Sequence, residues 1–122
     1  MKIRIKANSI RFRLTRCEVS KLTTTGYLEE ETNFPENKFI YALEVAKDSA
    51  ELSASFVHNK MTMLVPQSFV KNWPQNEVVG LDASLKVSED HSLYLLLEKD
   101  FVCLDDTTED QSDNFENPNK AC

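Results

Sequence analysis

The sequence predicts a mainly β (α+β) fold: a single eight-stranded antiparallel barrel or curled sheet with two short helices, in the order ββαββ twice. Three observations predict it. Apolar and polar residues alternate along one short stretch after another, the period of a strand buried on one face. Turn residues separate those stretches closely, so no linker divides the chain. Two stretches break the pattern, each with an apolar stripe of helical period.

The elements follow in order. Lys2–Lys6 reads K-I-R-I-K and Ser9–Leu14 reads S-I-R-F-R-L. Ala7-Asn8 between them suits a tight turn, because Asn tolerates positive φ. Ile3, Ile5, Ile10, Phe12 and Leu14 take one side of this hairpin and the cations the other. Thr15-Arg16-Cys17-Glu18 has the form of a capping box, which starts a helix over about 16–23 with Val19 and Leu22 inward and Gly26 just beyond. Residues 27–34, 39–46, 52–56 and 61–65 read as strands. Pro66 is suited to the first position of a second helix carrying Phe69, Val70 and Trp73, and Pro74 stops it. Residues 78–87 and 92–99 form a last hairpin around Ser88-Glu89-Asp90.

The two halves echo each other. A shift of 51 positions places Asn8 on Asn59, Ile10 on Met61, Phe12 on Met63, Leu14 on Val65, Val19 on Val70 and Leu22 on Trp73. Either a duplication or two hairpin-helix units sharing an apolar period gives this pattern.

A chain of 122 residues, with 41% hydrophobic and 28% charged residues, has the size and composition of one soluble domain that buries a core without disulfides or metal. The expected division is a β-rich domain over 1–104 and an acidic segment over 105–122. Only 2 glycines exclude a Gly-rich phosphate loop. No apolar run approaches the ~20 residues of a membrane span. The charged start has no apolar signal region, and three cysteines, an odd number, fit a reducing compartment, so the cytoplasm is expected. The net charge of −6 opposes general nucleic-acid binding, so neither a membrane nor a nucleic acid is an expected partner.

Charge is unevenly distributed. Residues 1–16 carry six cations and no acid, whereas residues 105–122 carry six acids against Lys120 alone. Lys2, Arg4, Lys6, Arg11 and Arg13 project from one face of the first hairpin, where cross-strand neighbours stand roughly 5 Å apart. Such crowding calls for an anion. A phosphate-containing small molecule is one answer, since arginine forks match phosphate oxygens. The chain's own carboxylates are others, from Glu29, Glu31 and Glu44, from Glu98 and Asp100, or from the acidic segment.

Eight strands with period-two Arg, Lys and Glu resemble the triphosphate-tunnel enzymes at the level of fold. In those enzymes an E-x-E-x-K strand positions a metal. Here the first strand is K-I-R-I-K, and only Glu29, Glu31, Glu98 and Asp100 remain to hold magnesium. The resemblance supports a barrel rather than a hydrolase. No catalytic motif for a Ser-His-Asp set, a zincin or a nucleotide loop is present. No cofactor is expected outside the tunnel alternative.

Cys17 reads as a small half-buried helix residue, and His58 and His91 as exposed turn residues. Cys103 and Cys122 form a possible thiol pair if residues 105–122 fold back. Phe115 and Asn117-Pro118 suit an anchor for that segment.

M-K-I-R-I-K-A-N-S-I-R-F-R-L-T at the start, E-K-D-F-V-C-L near the end and the closing N-P-N-K-A-C resemble a family of small bacterial proteins of unknown function. The resemblance implies a stand-alone cytosolic domain without an assigned activity, and cysteines at the positions of Cys103 and Cys122. The reading drawn from all of this is a non-enzymatic module binding an anion or acidic partner at Lys2, Arg4, Lys6, Arg11 and Arg13. The alternatives are a tunnel-type phosphohydrolase and a protein-interaction module.

Overall fold

In the computed structural model, which describes residues 1–101, the alternating stretches form eight strands. β1 (Lys2–Lys6) and β2 (Ser9–Leu14) make the first hairpin, followed by α1 (Arg16–Thr25) and the hairpin of β3 (Tyr27–Asn33) and β4 (Lys38–Ala46). β5 (Ser53–Val57) and β6 (Lys60–Pro66) then lead into α2 (Gln67–Val70), a 3₁₀ turn at Trp73–Gln75, and the hairpin of β7 (Gly80–Lys86) and β8 (Ser92–Lys99).

The strands form two four-stranded sheets, ordered β1-β2-β8-β7 and β3-β4-β6-β5. The expected single antiparallel barrel is therefore corrected. Both sheets are mixed, because β2 runs parallel to β8 and β4 parallel to β6. The physical reason is connectivity. α1 carries the chain from the first sheet to the second, and α2 with the 3₁₀ turn carries it back. Period-two alternation reports which face a strand buries, and is the same for either pairing direction.

Each sheet takes one hairpin from each half of the chain, and the halves are equivalent in register. Lys2 opposite Arg13 corresponds to Ser53 opposite Leu64, at the shift of 51 read from the sequence. The crossing bonds repeat as well. The Tyr94 N–H donates to the Asn8 carbonyl at 3.0 Å, and the Ile40 N–H to the Asn59 carbonyl at 2.9 Å. The Lys99 N–H donates to the Val79 carbonyl and the Val45 N–H to the Gly26 carbonyl, each at 2.9 Å. The sequence echo is thus a structural pseudo-twofold relation.

Local chemistry explains the elements. Thr15 and Glu18 form the predicted capping box: the Glu18 N–H donates to Thr15 Oγ1 and the Thr15 N–H to Glu18 Oε1. Gly26, at φ 78, ends α1 in the left-handed region that glycine enters without strain. In the first hairpin turn Ala7, rather than the expected Asn8, takes positive φ (49°); in the second, His58 and Asn59 both do. Pro66 ends β6 instead of opening the helix, and α2 is a single turn.

The core lies between the inward faces of the two sheets and under the helices. Phe12, Leu14, Leu43, Met63, Val65, Leu95, Leu97, Leu22 and Trp73 are fully buried there. Phe12 meets Tyr41 across the sheets at 6.3 Å. Trp73 packs on Phe69 at 4.8 Å and donates its indole N–H to the Val78 carbonyl at 2.8 Å, which satisfies its polar atom. Thr23 Oγ1 reaches the Val70 carbonyl at 3.3 Å and ties α1 to α2. The Met1 ammonium pairs with Glu18 and, at 3.4 Å, with Glu30, which ties the residue before β1 to α1 and to β3 of the second sheet.

Candidate functional site

The outward face of the first sheet is built in rows. Lys2, Arg13, Glu98 and Gly80 stand side by side in one row; Arg4, Arg11, Leu96 and Asp82 form the next; Lys6, Ser9, Tyr94 and Ser84 form the third. The structure therefore brings all five predicted cations to one face. Four of its rows' residues, Lys2, Arg4, Arg11 and Arg13, line a shallow concavity of about 280 Å³ with Ile3. Lys6 lies beside the hairpin turn. Two like-charged pairs sit directly opposite each other, Lys2 with Arg13 and Arg4 with Arg11, an arrangement that by itself opposes strand pairing.

Two carboxylates from the last strand region offset part of this charge. Glu98 Oε1 accepts from Arg13 Nε at 2.7 Å and stands 3.0 Å from Arg11 Nε. Asp100 Oδ2 lies 3.0 Å from Lys2 Nζ. Glu98 and Asp100 are largely covered, at 14% and 15% side-chain exposure, but their partners are partly exposed, Lys2 most of all, so solvent still reaches these pairs. One carboxylate thus holds two guanidinium groups through their Nε atoms. Beyond it, Tyr94 donates its hydroxyl to Asp82 at 2.8 Å, and this bond is the main cause that raises the Tyr94 phenol above its ordinary value.

The other predicted carboxylates go elsewhere. Glu29 and Glu31 stand on the outward face of the second sheet, where Tyr27 donates to Glu29 at 2.6 Å, Lys60 pairs with Glu29 at 3.3 Å and Lys38 with Glu31 at 3.0 Å. The Tyr27 hydrogen bond, then Lys60, hold the Glu29 carboxyl below the usual range. Glu44 lies on that same face. The four residues of the tunnel alternative are therefore split between two sheets, and without a closed barrel there is no bore for them to line. Among the described residues no group of three or more His, Cys, Asp or Glu is placed to hold a metal ion.

Cys17 is exposed rather than half-buried, because its position in the first turn of α1 points away from the stripe of Val19 and Leu22. His58 and His91 are exposed, as expected. Cys103, Cys122 and the segment 105–122 lie outside the described residues. No helix among the described residues is long and apolar enough to cross a membrane.

Sequence reasoning missed one surface. Phe34, Phe56 and Val57 are exposed near the turn ends of the second sheet, and Phe56 lies 6.1 Å from Phe39. Phe34 and Phe39 line a second concavity of about 290 Å³ with Asn37, Lys38 and Asn59. The adjacent Phe56-Val57 at a strand end, beside His58-Asn59, was the available signal.

No curated protein and no solved structure matches this chain. A family model matches residues 1–119, and the chain belongs to that family of unknown function, DUF7009.

Proposed function

We propose that this protein is a non-enzymatic binding module for a phosphate-containing anion, held at Lys2, Arg4, Lys6, Arg11 and Arg13. One observation carries the reading. The fold contains the same hairpin twice, and the second copy places Ser53, Ser55, Val57, Thr62 and Leu64 where the first has these five cations. The architecture therefore does not call for positive charge at those places. In the first hairpin the five cations include two like-charged pairs directly opposite each other, Lys2 with Arg13 and Arg4 with Arg11, an arrangement that by itself opposes strand pairing. An anion over the face relieves that repulsion.

The chemistry suits phosphate. Arginine forks meet phosphate oxygens bidentately, and Glu98 holds the Arg11 and Arg13 guanidinium groups in place before a ligand arrives. The concavity is open and the overall charge is −6, which favours a small anion over a nucleic-acid polymer. Binding rather than hydrolysis is favoured because Glu29 and Glu31 stand on the sheet opposite to Glu98 and Asp100.

Thermal melting of the full chain with inorganic pyrophosphate, with and without magnesium, tests this. Pyrophosphate alone should raise the melting temperature, by the equivalent of about 2.7 kcal/mol at ~100 times its Kd. The double substitution Arg4→Gln/Arg11→Gln should remove the shift. A shift that requires magnesium as well would overturn the reading in favour of metal-assisted chemistry. The absence of any shift would sink it and turn attention to the exposed Phe34, Phe56 and Val57.

A further inference from the structure

We propose that a second copy of this chain pairs with the free edge of β5, antiparallel about Ser55, and joins the four-stranded second sheets of two copies into one sheet of eight strands. The contact is independent of the anion site, because β5 lies in the other sheet. It is carried by the hydrogen-bonding register of β5 and by the charges along the four sheet edges.

The register shows which backbone groups of β5 are open. His58 and Asn59 have positive φ, 51° and 64°, so a two-residue turn closes the hairpin on the bonded pair Val57–Lys60. The Asn59 carbonyl accepts from the Ile40 N–H on β4, and the next residue, Lys60, therefore faces β5. Bonded and non-bonded pairs alternate along an antiparallel ladder. Val57, Ser55 and Ser53 thus bond to β6, while Ala54 and Phe56 direct their N–H and C=O groups to the free edge. Two such edges fit each other. Turned antiparallel about Ser55, Ala54 of each copy stands opposite Phe56 of the other, and each of these pairs exchanges two hydrogen bonds. The small Ala54 leaves room for the Phe56 ring, and Ser55 faces Ser55 of the second copy.

Sheet edges are commonly blunted against such pairing by charge. β1 carries Lys2, Arg4 and Lys6, β3 carries Glu29, Glu30 and Glu31, and β7 carries Asp82 and Lys86. Among the described residues β5, Ser53–Val57, is the one edge strand without a charge, and it contains no proline or glycine. Its end is apolar and open, with Phe56 and Val57 exposed at 63% and 56%. β1 is the equivalent strand of the first sheet, and there the same twofold pairing would set Arg4 against Arg4 and Lys2 against Lys6 of the second copy. At β5 those positions are Ser55, Ser53 and Val57. Each copy has a net charge of −6, so two copies repel at long range and meet most readily where local charge is absent. A neutral edge that complements itself about a twofold axis fits a second copy of the same chain.

Sedimentation velocity of the full chain in reducing buffer, at increasing concentration, tests this. A five-residue edge is small for an interface, so the dimer should have a Kd on the order of 100 μM. Ser55→Arg copies Arg4 of the equivalent strand, and should weaken the dimer at least about tenfold by setting like charges face to face. Ser55→Glu should do the same. Neither should change the melting temperature of the monomer, because Ser55 is exposed and the first hairpin already folds with arginine at this place. An equimolar mixture of the two variants should recover the dimer, since residue 55 lies opposite itself at the axis. A chain that stays monomeric at about ten times the expected Kd overturns the inference. So does a dimer that survives both single variants, which would place the interface elsewhere. A mixture as monomeric as its two components overturns the pairing about Ser55.

Discussion

The first sheet, β1-β2-β8-β7, and the second, β5-β6-β4-β3, have one topology and two kinds of outer face. Inward positions match in character: Ile10 with Met61, Phe12 with Met63 and Leu14 with Val65, at one shift throughout. Outward positions on the same strands do not, since Lys2, Arg4, Arg11 and Arg13 answer to Ser53, Ser55, Thr62 and Leu64. The molecule thus contains its own control. What the two sheets share is what folding needs, and what only one has must be explained by something else.

The largest expected effect concerns what is shared. Phe12 and Met63 are both fully buried at equivalent positions. Phe12→Ala should cost about 3–5 kcal/mol and Met63→Ala about 2–5 kcal/mol in urea unfolding, from lost burial and the cavity left behind. A loss below about 1 kcal/mol at either site would break the equivalence, because that half would not be packed on the same core.

The next effect sharpens the comparison at a place where the sheets differ. Gly80 faces Glu98 in the register, and a Cβ there would lie 2.2 Å from the Leu97 carbonyl oxygen and 2.9 Å from the Glu98 Cα. Its counterpart in the second sheet is Tyr27, opposite Glu44. The close approach of β7 to β8 therefore belongs to the first sheet alone. Gly80→Ala should destabilise by about 1–3 kcal/mol through overpacking. It should also disturb the Glu98 side chain, read as a change in the Arg11 and Arg13 Nε–H resonances. A neutral substitution would show that β7 moves aside freely.

Most of the local structure was legible in the sequence. The strict alternation of Lys2–Lys6 and Ser9–Leu14 and the Thr15–Glu18 capping box gave those elements with correct starts. The pairing partners were not legible. Leu95 and Leu97 look alike whether β8 pairs with β7 alone or also runs parallel to β2, so an antiparallel barrel and two mixed sheets have the same pattern. The cations were found together because they share one local hairpin. Glu98 was visible only as one of several carboxylates, since its contact with Arg13 spans 85 positions. Glu29 and Glu31, on an equally regular strand, went to the other sheet.

A smaller effect tests what is not shared. Giving the first sheet the second's outer residues, by Lys2→Ser, Arg4→Ser and Arg11→Thr together, should change stability by no more than about 1–2 kcal/mol, because partly exposed ion pairs contribute little. The same change should abolish the response to pyrophosphate in melting scans. A large loss of stability would show that the cations serve the fold, and the argument from the second hairpin would fail.

The smallest effect is one of titration. Each outer face bears a tyrosine hydroxyl on a carboxylate, Tyr94 on Asp82 at 2.8 Å and Tyr27 on Glu29 at 2.6 Å, and these acids are equivalent in register. Both phenols are raised above the usual value, for different leading causes. For Tyr94 the Asp82 hydrogen bond comes first; for Tyr27 desolvation comes first, and Lys60 works against the rise. A raised value in the folded state favours the protonated form. Its contribution to stability is fully present below the unfolded phenol value of about 10 and is lost as pH rises through the folded one. NMR titration should therefore show Asp82→Asn lowering the Tyr94 value more than Glu29→Gln lowers that of Tyr27. Equal responses would mean that the hydrogen bond to Asp82 does not lead for Tyr94 as desolvation does for Tyr27, and that the two outer faces hold their tyrosines in the same way.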